Sequence, residues 1–221
     1  MDSATATSTR LTIEVWADVV CPWCYVGEQR LHAAIERSGH AGQIDLQVRT
    51  FQLDPSAPAT TIPTLEYLSR KFGVPLAQAR SMEEEMAQRA QAEGLAYSPD
   101  RPSANTLDML RLVHLASAHG VGWEYLRAVQ AELFSGQPDA FEPATLVRLG
   151  EQLGVPSDES RSVLAGDRFA DAVRADHEEA LRLGANGVPF TVLGRRVGVP
   201  GSVSTEQFAA AIEQAWEHVS G

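Results

Sequence analysis

The first alternation of apolar and polar positions runs through Leu11-Thr12-Ile13-Glu14-Val15-Trp16, and its period of two predicts a strand. At Val26, Leu31, Ala34 and Ile35 the apolar positions recur at helical spacing instead, and Ser38-Gly39 closes that pattern. Ile44-Asp45-Leu46-Gln47-Val48-Arg49 alternates again, which predicts a second strand ending near Phe51. A strand, helix, strand unit of this length makes a right-handed parallel crossover. Asp54 to Pro63, with Pro55, Pro58 and Pro63 among small polar residues, reads as an extended connector.

From Thr64 to Gly184 only helical periodicity remains. Turn signals at Gly73-Val74-Pro75, Gly94, Ser98 to Pro102, Gly120, Gly136 to Pro138 and Gly154-Val155-Pro156 divide it into about six or seven helices. Leu107, Leu110, Val113 and His114 share one face, as do Leu146, Leu149 and Leu153, so these helices are expected to pack together. The acidic run Met82-Glu83-Glu84-Glu85-Met86 reads as a solvated face. Beyond Gly187, Val188-Pro189-Phe190-Thr191-Val192-Leu193 predicts a strand, Gly194-Arg195 a turn and Arg196-Val197-Gly198-Val199 a short partner. Ser204 and Gln207 make a capping box for a final helix that turns Phe208, Ala211, Ile212, Ala215 and Trp216 inward.

With 44% hydrophobic residues over 221 positions, the chain can bury a sizeable core. A formal net charge of -11 argues against nucleic acid or an anionic membrane as a partner, since both demand a basic face. Met1 to Arg10 is rich in Ser, Thr and Ala without an apolar signal core, and no later run is long enough to span a bilayer. The expectation is a cytoplasmic protein with a disordered N-terminus at residues 1–10. Nothing in the sequence speaks to oligomeric state.

Both cysteines, Cys21 and Cys24, fall where the first strand pattern turns into the first helix pattern. A thiol in the first turn of a helix meets unpaired N–H groups and the positive end of the macrodipole. Cys21 is therefore expected to ionise more readily than a free cysteine, whose pKa is about 8.5. Cys24, three residues on, shares the helical face, and Pro22 suits a first turn. A bridge across so short a loop restrains the unfolded chain little, so a bridge that cycles is the better reading than a structural one. Cys21, at the exposed end, would attack as thiolate, and Cys24, deeper in the helix, would resolve the mixed disulfide. Two plainer readings are a pair of small buried hydrophobes and half of a zinc site. The first leaves the Pro-Trp insert unexplained, and the six scattered histidines give the second no ligand spacing, so no metal is expected.

Asp18-Val19-Val20-Cys21-Pro22-Trp23-Cys24-Tyr25-Val26-Gly27 resembles the DsbA family of the thioredoxin superfamily, specifically its FrnE-like branch. Phe51-Gln52-Leu53-Asp54-Pro55, Tyr67 to Gly73, Asn105-Thr106-Leu107-Asp108 and Gly187-Val188-Pro189-Phe190 stand in the order that branch leads one to expect. Leu110 departs from it, where the branch usually carries histidine, and so does Pro200-Gly201-Ser202, in place of Ser-Gly-Ala. The resemblance implies an α/β, thioredoxin-like fold with a mixed sheet and a large all-helical insertion. Residues 11–55 and 185–221 would form the thioredoxin-like domain, and residues 56–184 the inserted helical domain.

On the residues alone, Pro189 reads as a proline tolerated at the start of a strand. The resemblance implies a cis-proline beside the cysteine pair, with the Val188 backbone facing Cys21. Substrate would then pair there as an added strand, with Pro22, Trp23, Val188 and Pro189 as its contacts. Trp23 is uncharged, so the Cys21 thiolate is expected to be less stabilised than in DsbA, whose value is ~3.5. Asp18 and Glu14 are the nearest acids and are candidates to take the Cys24 proton through water. The implied activity is that of a thiol–disulfide oxidoreductase or isomerase acting on a disulfide in a protein, peptide or small molecule. It needs no bound cofactor, only a redox partner thiol such as glutathione or a dithiol protein. Two alternatives are a glutathione-dependent enzyme like kappa-class transferases and 2-hydroxychromene-2-carboxylate isomerases, and a non-catalytic, chaperone-like protein. Cys24 favours redox chemistry, since those glutathione enzymes typically carry serine at the Cys21 position.

Overall fold

Strand β1 (Leu11–Ala17) lies at the heart of a four-stranded sheet in a computed structural model that describes residues 10–220. The disordered N-terminus expected at residues 1–10 lies outside them apart from Arg10. Helix α1 (Pro22–Arg37) returns the chain to β2 (Ile44–Thr50), which pairs parallel with β1 from Leu11 opposite Ile44 to Ala17 opposite Thr50. On the other side of β1, β5 (Phe190–Leu193) runs antiparallel and is continued by β6 (Val197–Pro200), giving the order β2-β1-β5-β6. The last helix, α9 (Thr205–Ser220), packs on α1. Its capping box forms as expected: the Ser204 N–H donates to Gln207 Oε1 and the Gln207 N–H to Ser204 Oγ.

Alternation in β1 usually marks a strand with one wet face, yet both of its faces are covered. Leu11, Ile13 and Val15 pack with Leu31, Ala34 and Ile35 of α1 and with Phe208, Ile212 and Ala215 of α9. On the opposite face Trp16 packs with Phe51, Ala180 and Phe190. Its indole N–H donates to the Asp176 carbonyl at 2.9 Å.

Seven helices link the two halves of the sheet: α2 (Thr64–Phe72), α3 (Leu76–Ala92), α4 (Leu107–Ala118), α5 (Gly122–Phe134), α6 (Pro143–Gln152), α7 (Ser157–Ala165) and α8 (Ala170–Arg182). The apolar faces of α4 to α8 meet in one cluster that holds Leu110, Val113, Leu126, Leu149 and Val163 and continues without a break into Ala17, Val19, Cys21 and Cys24, whereas α3 packs Met86 and Ala90 against Tyr25, Tyr97 and Phe134. A ribbon not expected from the pattern, β3 (Ile62–Pro63) with β4 (Pro102–Ser103), closes the base of α2. Two-residue strands that include prolines leave no alternation to read. The acidic run on α3 is also not uniformly solvated. Glu83 is buried, paired with Arg101 and accepting a 2.8 Å hydrogen bond from the Tyr97 hydroxyl. Among the described residues, no helix is long and apolar enough to cross a membrane.

Candidate active site

Cys21 is the N-cap of α1. Its backbone is extended (φ -80°, ψ 110°), Pro22 supplies the first helical turn, and Cys21 Sγ accepts the Cys24 N–H at 3.3 Å. The thiol thus does what a serine or aspartate oxygen does at other helix starts. The two cysteines are free and approach to 3.0 Å. Val188, from the far end of the chain, places its carbonyl oxygen 3.6 Å from Cys21 Sγ. The Val188–Pro189 bond is cis, and strand β5 opens at Phe190 rather than at Val188, as the alternation had led one to expect.

Gly27 lets this approach happen. A Cβ at Gly27 would lie 3.2 Å from Pro189 Cγ and 3.2 Å from Ser202 Oγ, closer than ordinary packing allows.

Cys21 is not exposed, against the expectation for a helix end: only 3% of its surface is accessible, and it is reached through a cavity of about 430 Å³. Val20 to Trp23 and Val188 line that cavity on the sheet side, and α2 and α3 wall it opposite. The motif segments converge there. The Leu53 N–H donates to Asp18 Oδ2 at 2.8 Å, and the Thr106 hydroxyl to the same oxygen at 3.3 Å. Gln52 donates to Asn105 Oδ1. Hydrogen bonds from the Ser56 and Tyr67 hydroxyls and from Lys71 hold the Asp54 carboxyl well below the usual carboxylate range, and fasten α2 to the loop after β2. Leu110 is fully buried in the apolar cluster beside the cysteines, where a histidine would lose its hydration.

The electrostatics are asymmetric. Burial pushes the Cys24 thiol well above the usual range, and the neighbouring Cys21 sulfur and Glu28 add to it. Asp18 is fully buried and raised to about 6, burial outweighing its hydrogen bonds. Its Oδ1 has no hydrogen-bond partner among the described residues, and the Val19 and Val20 amides favour the charged carboxyl less than Leu53 and Thr106 do. Glu14, the other acid suggested by the sequence, does not reach the cavity. It is buried on the far face of β1 between Arg49, at 2.8 Å, and Arg195.

Sequence reading missed Glu28. Burial raises it to about 7 despite Arg127, at 3.8 Å, and a hydrogen bond from Gln130. It stands four residues after Cys24, on the same helical face, and that spacing was the available signal. Among the described residues, no group of three or more His, Cys, Asp or Glu side chains is arranged to hold a metal ion.

Residues 12–213 match the DSBA-like thioredoxin domain. A probable DsbA oxidoreductase from Streptomyces coelicolor is 38% identical, with a TM-score of 0.87 over 94% of this chain and 91% of that one. A putative protein disulfide isomerase from Nitrosomonas europaea, 16% identical, superposes with a TM-score of 0.72 over 95% and 98% of the two chains. The cytosolic disulfide reductase DsbM from Pseudomonas aeruginosa, 18% identical, does so with a TM-score of 0.61 over 95% and 97%. With its mixed sheet, its paired cysteines at the start of α1 and a family match over nearly its whole length, the chain belongs to the DsbA-like thioredoxin-domain family of oxidoreductases.

Proposed function

We propose that this protein exchanges thiols and disulfides through Cys21 and Cys24. The observation that carries this reading is the position of Cys21 Sγ, at a helix N-cap, on the floor of a cavity and 3.6 Å from the Val188 carbonyl. The Cys21 thiolate attacks one sulfur of a substrate disulfide, forms a mixed disulfide and expels the first thiolate. Cys24 then gives up its proton and attacks Cys21 Sγ. The internal disulfide forms, the second substrate thiol leaves, and two electrons have passed from protein to substrate. The reverse sequence oxidises a dithiol.

Cys24 stays protonated until a base accepts its proton, because burial disfavours its anion. Glu28, raised to about 7, is matched to that task near neutral pH, and Asp18, raised to about 6, flanks the pair from the strand side. Val188, Pro189, Pro22 and Trp23 border the place where the substrate disulfide lies, with the Val188 backbone available to an extended segment. Residues 11–55 and 185–221 carry the redox centre as one domain, and residues 56–184, the inserted helical domain, shape what reaches it. A thiol such as glutathione or a dithiol protein returns the pair to its reduced form. DsbM, one of the structural neighbours, has been solved with glutathione. A reducing, cytoplasmic setting suits a lone cycling pair.

The test is reduction of a disulfide substrate by wild type and by Cys21→Ser, run beside a glutathione-conjugation assay. The reading predicts that the substitution abolishes reduction. Reduction that survives it, or conjugation as the main activity, overturns the reading.

A further inference from the structure

We infer that the cavity over Cys21 selects low-molecular-weight disulfides with an apolar body and an acidic substituent, the acid being held by Arg89. This rests on the redox reading above and adds the substrate class. Cys21, 3% accessible, sits below the surface, where a disulfide lying flat on a folded protein does not reach. A cavity of about 430 Å³ instead falls within the range of small-molecule sites, roughly 300–1,000 Å³. Its walls are largely hydrocarbon. Trp23, Leu53, Phe72 and Met82 all line it and remain 39–54% exposed in the free protein, apolar surface that a ligand would take out of water.

The charges on the wall single out one cation. Lys71 is engaged by Asp54 at 3.2 Å and by the Tyr67 hydroxyl at 2.9 Å. Arg101 is engaged by Glu83 and by the Ser98 carbonyl. Arg89 has no carboxylate partner among the described residues. Its guanidinium lies over the Trp23 ring, 5.4 Å from the centroid. Glu85, one helical turn earlier on α3, also lines the cavity and makes no ion pair with it. Cys21, Trp23 and Arg89 line the same cavity, so stacking on the Trp23 ring keeps the guanidinium on the wall of the space that Cys21 faces, with its donors free for an acid group.

The test is a single turnover of the reduced protein with two aromatic disulfides of similar size, dithiobis(nitrobenzoate), which carries carboxylates, and uncharged dithiodipyridine. Thiol release is followed against probe concentration at one pH. For the wild type, release from the carboxylate probe is expected to saturate. Arg89→Gln should raise its half-saturation concentration about tenfold and leave the neutral probe unchanged. Phe72→Ala, at an exposed side chain, should weaken both probes alike. Any effect of Arg89 on the thiolate itself would alter both probes, so equal changes overturn the proposal, as does no change. A higher kcat/KM on insulin than on either probe, insensitive to Arg89→Gln, identifies a peptide site and overturns it too. Cys21-dependent release without an Arg89 effect removes this inference alone, whereas release that persists in Cys21→Ser removes the redox reading beneath it.

Discussion

Cys21 Sγ lies 3.6 Å from the Val188 carbonyl oxygen although 167 positions of chain separate the two residues. Gly27 packs under that segment, where an added Cβ would press on the Pro189 ring at 3.2 Å. Gly27→Ala should force α1 and the Pro189 segment apart, destabilise the protein by roughly 1–3 kcal/mol, and slow thiol–disulfide exchange more than the loss of stability explains. Urea denaturation and stopped-flow exchange on the same samples check both.

Cys24→Ala should stop the reaction halfway. One thiol equivalent is released per protein, and the other half of the substrate stays on Cys21 as a mixed disulfide visible by intact mass. Release of two equivalents at the wild-type rate would show that Cys24 is not the resolving thiol.

Glu28 ties the site to pH. Its ordinary value of 4.5 rises to about 7 in the fold, so between those values the folded protein holds a proton that the unfolded chain has given up. Stability is therefore fullest below about pH 4.5 as far as this group is concerned, and falls as pH climbs through 7. Asp18, raised to about 6, acts in the same direction. Glu28→Gln should recover on the order of 3 kcal/mol at pH 8, flatten the pH dependence of Tm, and slow closure of the internal disulfide near neutral pH. A steep Tm profile that survives the substitution would assign the dependence to another group.

Arg101 and Glu83 are each 5% exposed at the side chain, and their pairing holds α3 against the strand ribbon at the cavity wall. Arg101→Met leaves a carboxylate buried with only the Tyr97 hydroxyl, and should cost about 3–5 kcal/mol. Adding Glu83→Gln should restore part of it. Urea midpoints at unchanged m-value give the measurement.

The parts legible in the sequence were those encoded within a few residues. Alternation in 11–16 and 44–49, helical spacing around Leu31, and the Ser204–Gln207 box all depend on neighbours along the chain. The cysteine pair was legible for the same reason. Burial was not, because it depends on what another segment brings. Cys21 looked exposed because nothing nearby in sequence announces that α2 and α3 wall it in. Glu83 looked solvated because its partner, Arg101, lies 18 positions on. Glu14 stood as a candidate proton acceptor because its ion pairs come from β2 and from the turn after β5. Glu28 was overlooked because its meaning depends on Gln130 and Arg127 of α5.

The antiparallel neighbour of β1 also bears on how the protein is made. Residues 190–193 emerge from the ribosome long after β1, so β1 waits through the synthesis of every element between them for its β5 edge to be covered. Through that interval the nascent Cys-Pro-Trp-Cys segment has neither its Val188 neighbour nor its completed sheet, and its thiols meet whatever oxidant or thiol surrounds the ribosome. A chain truncated between α1 and the β5–β6 hairpin would keep both cysteines and still lack the surroundings that govern them.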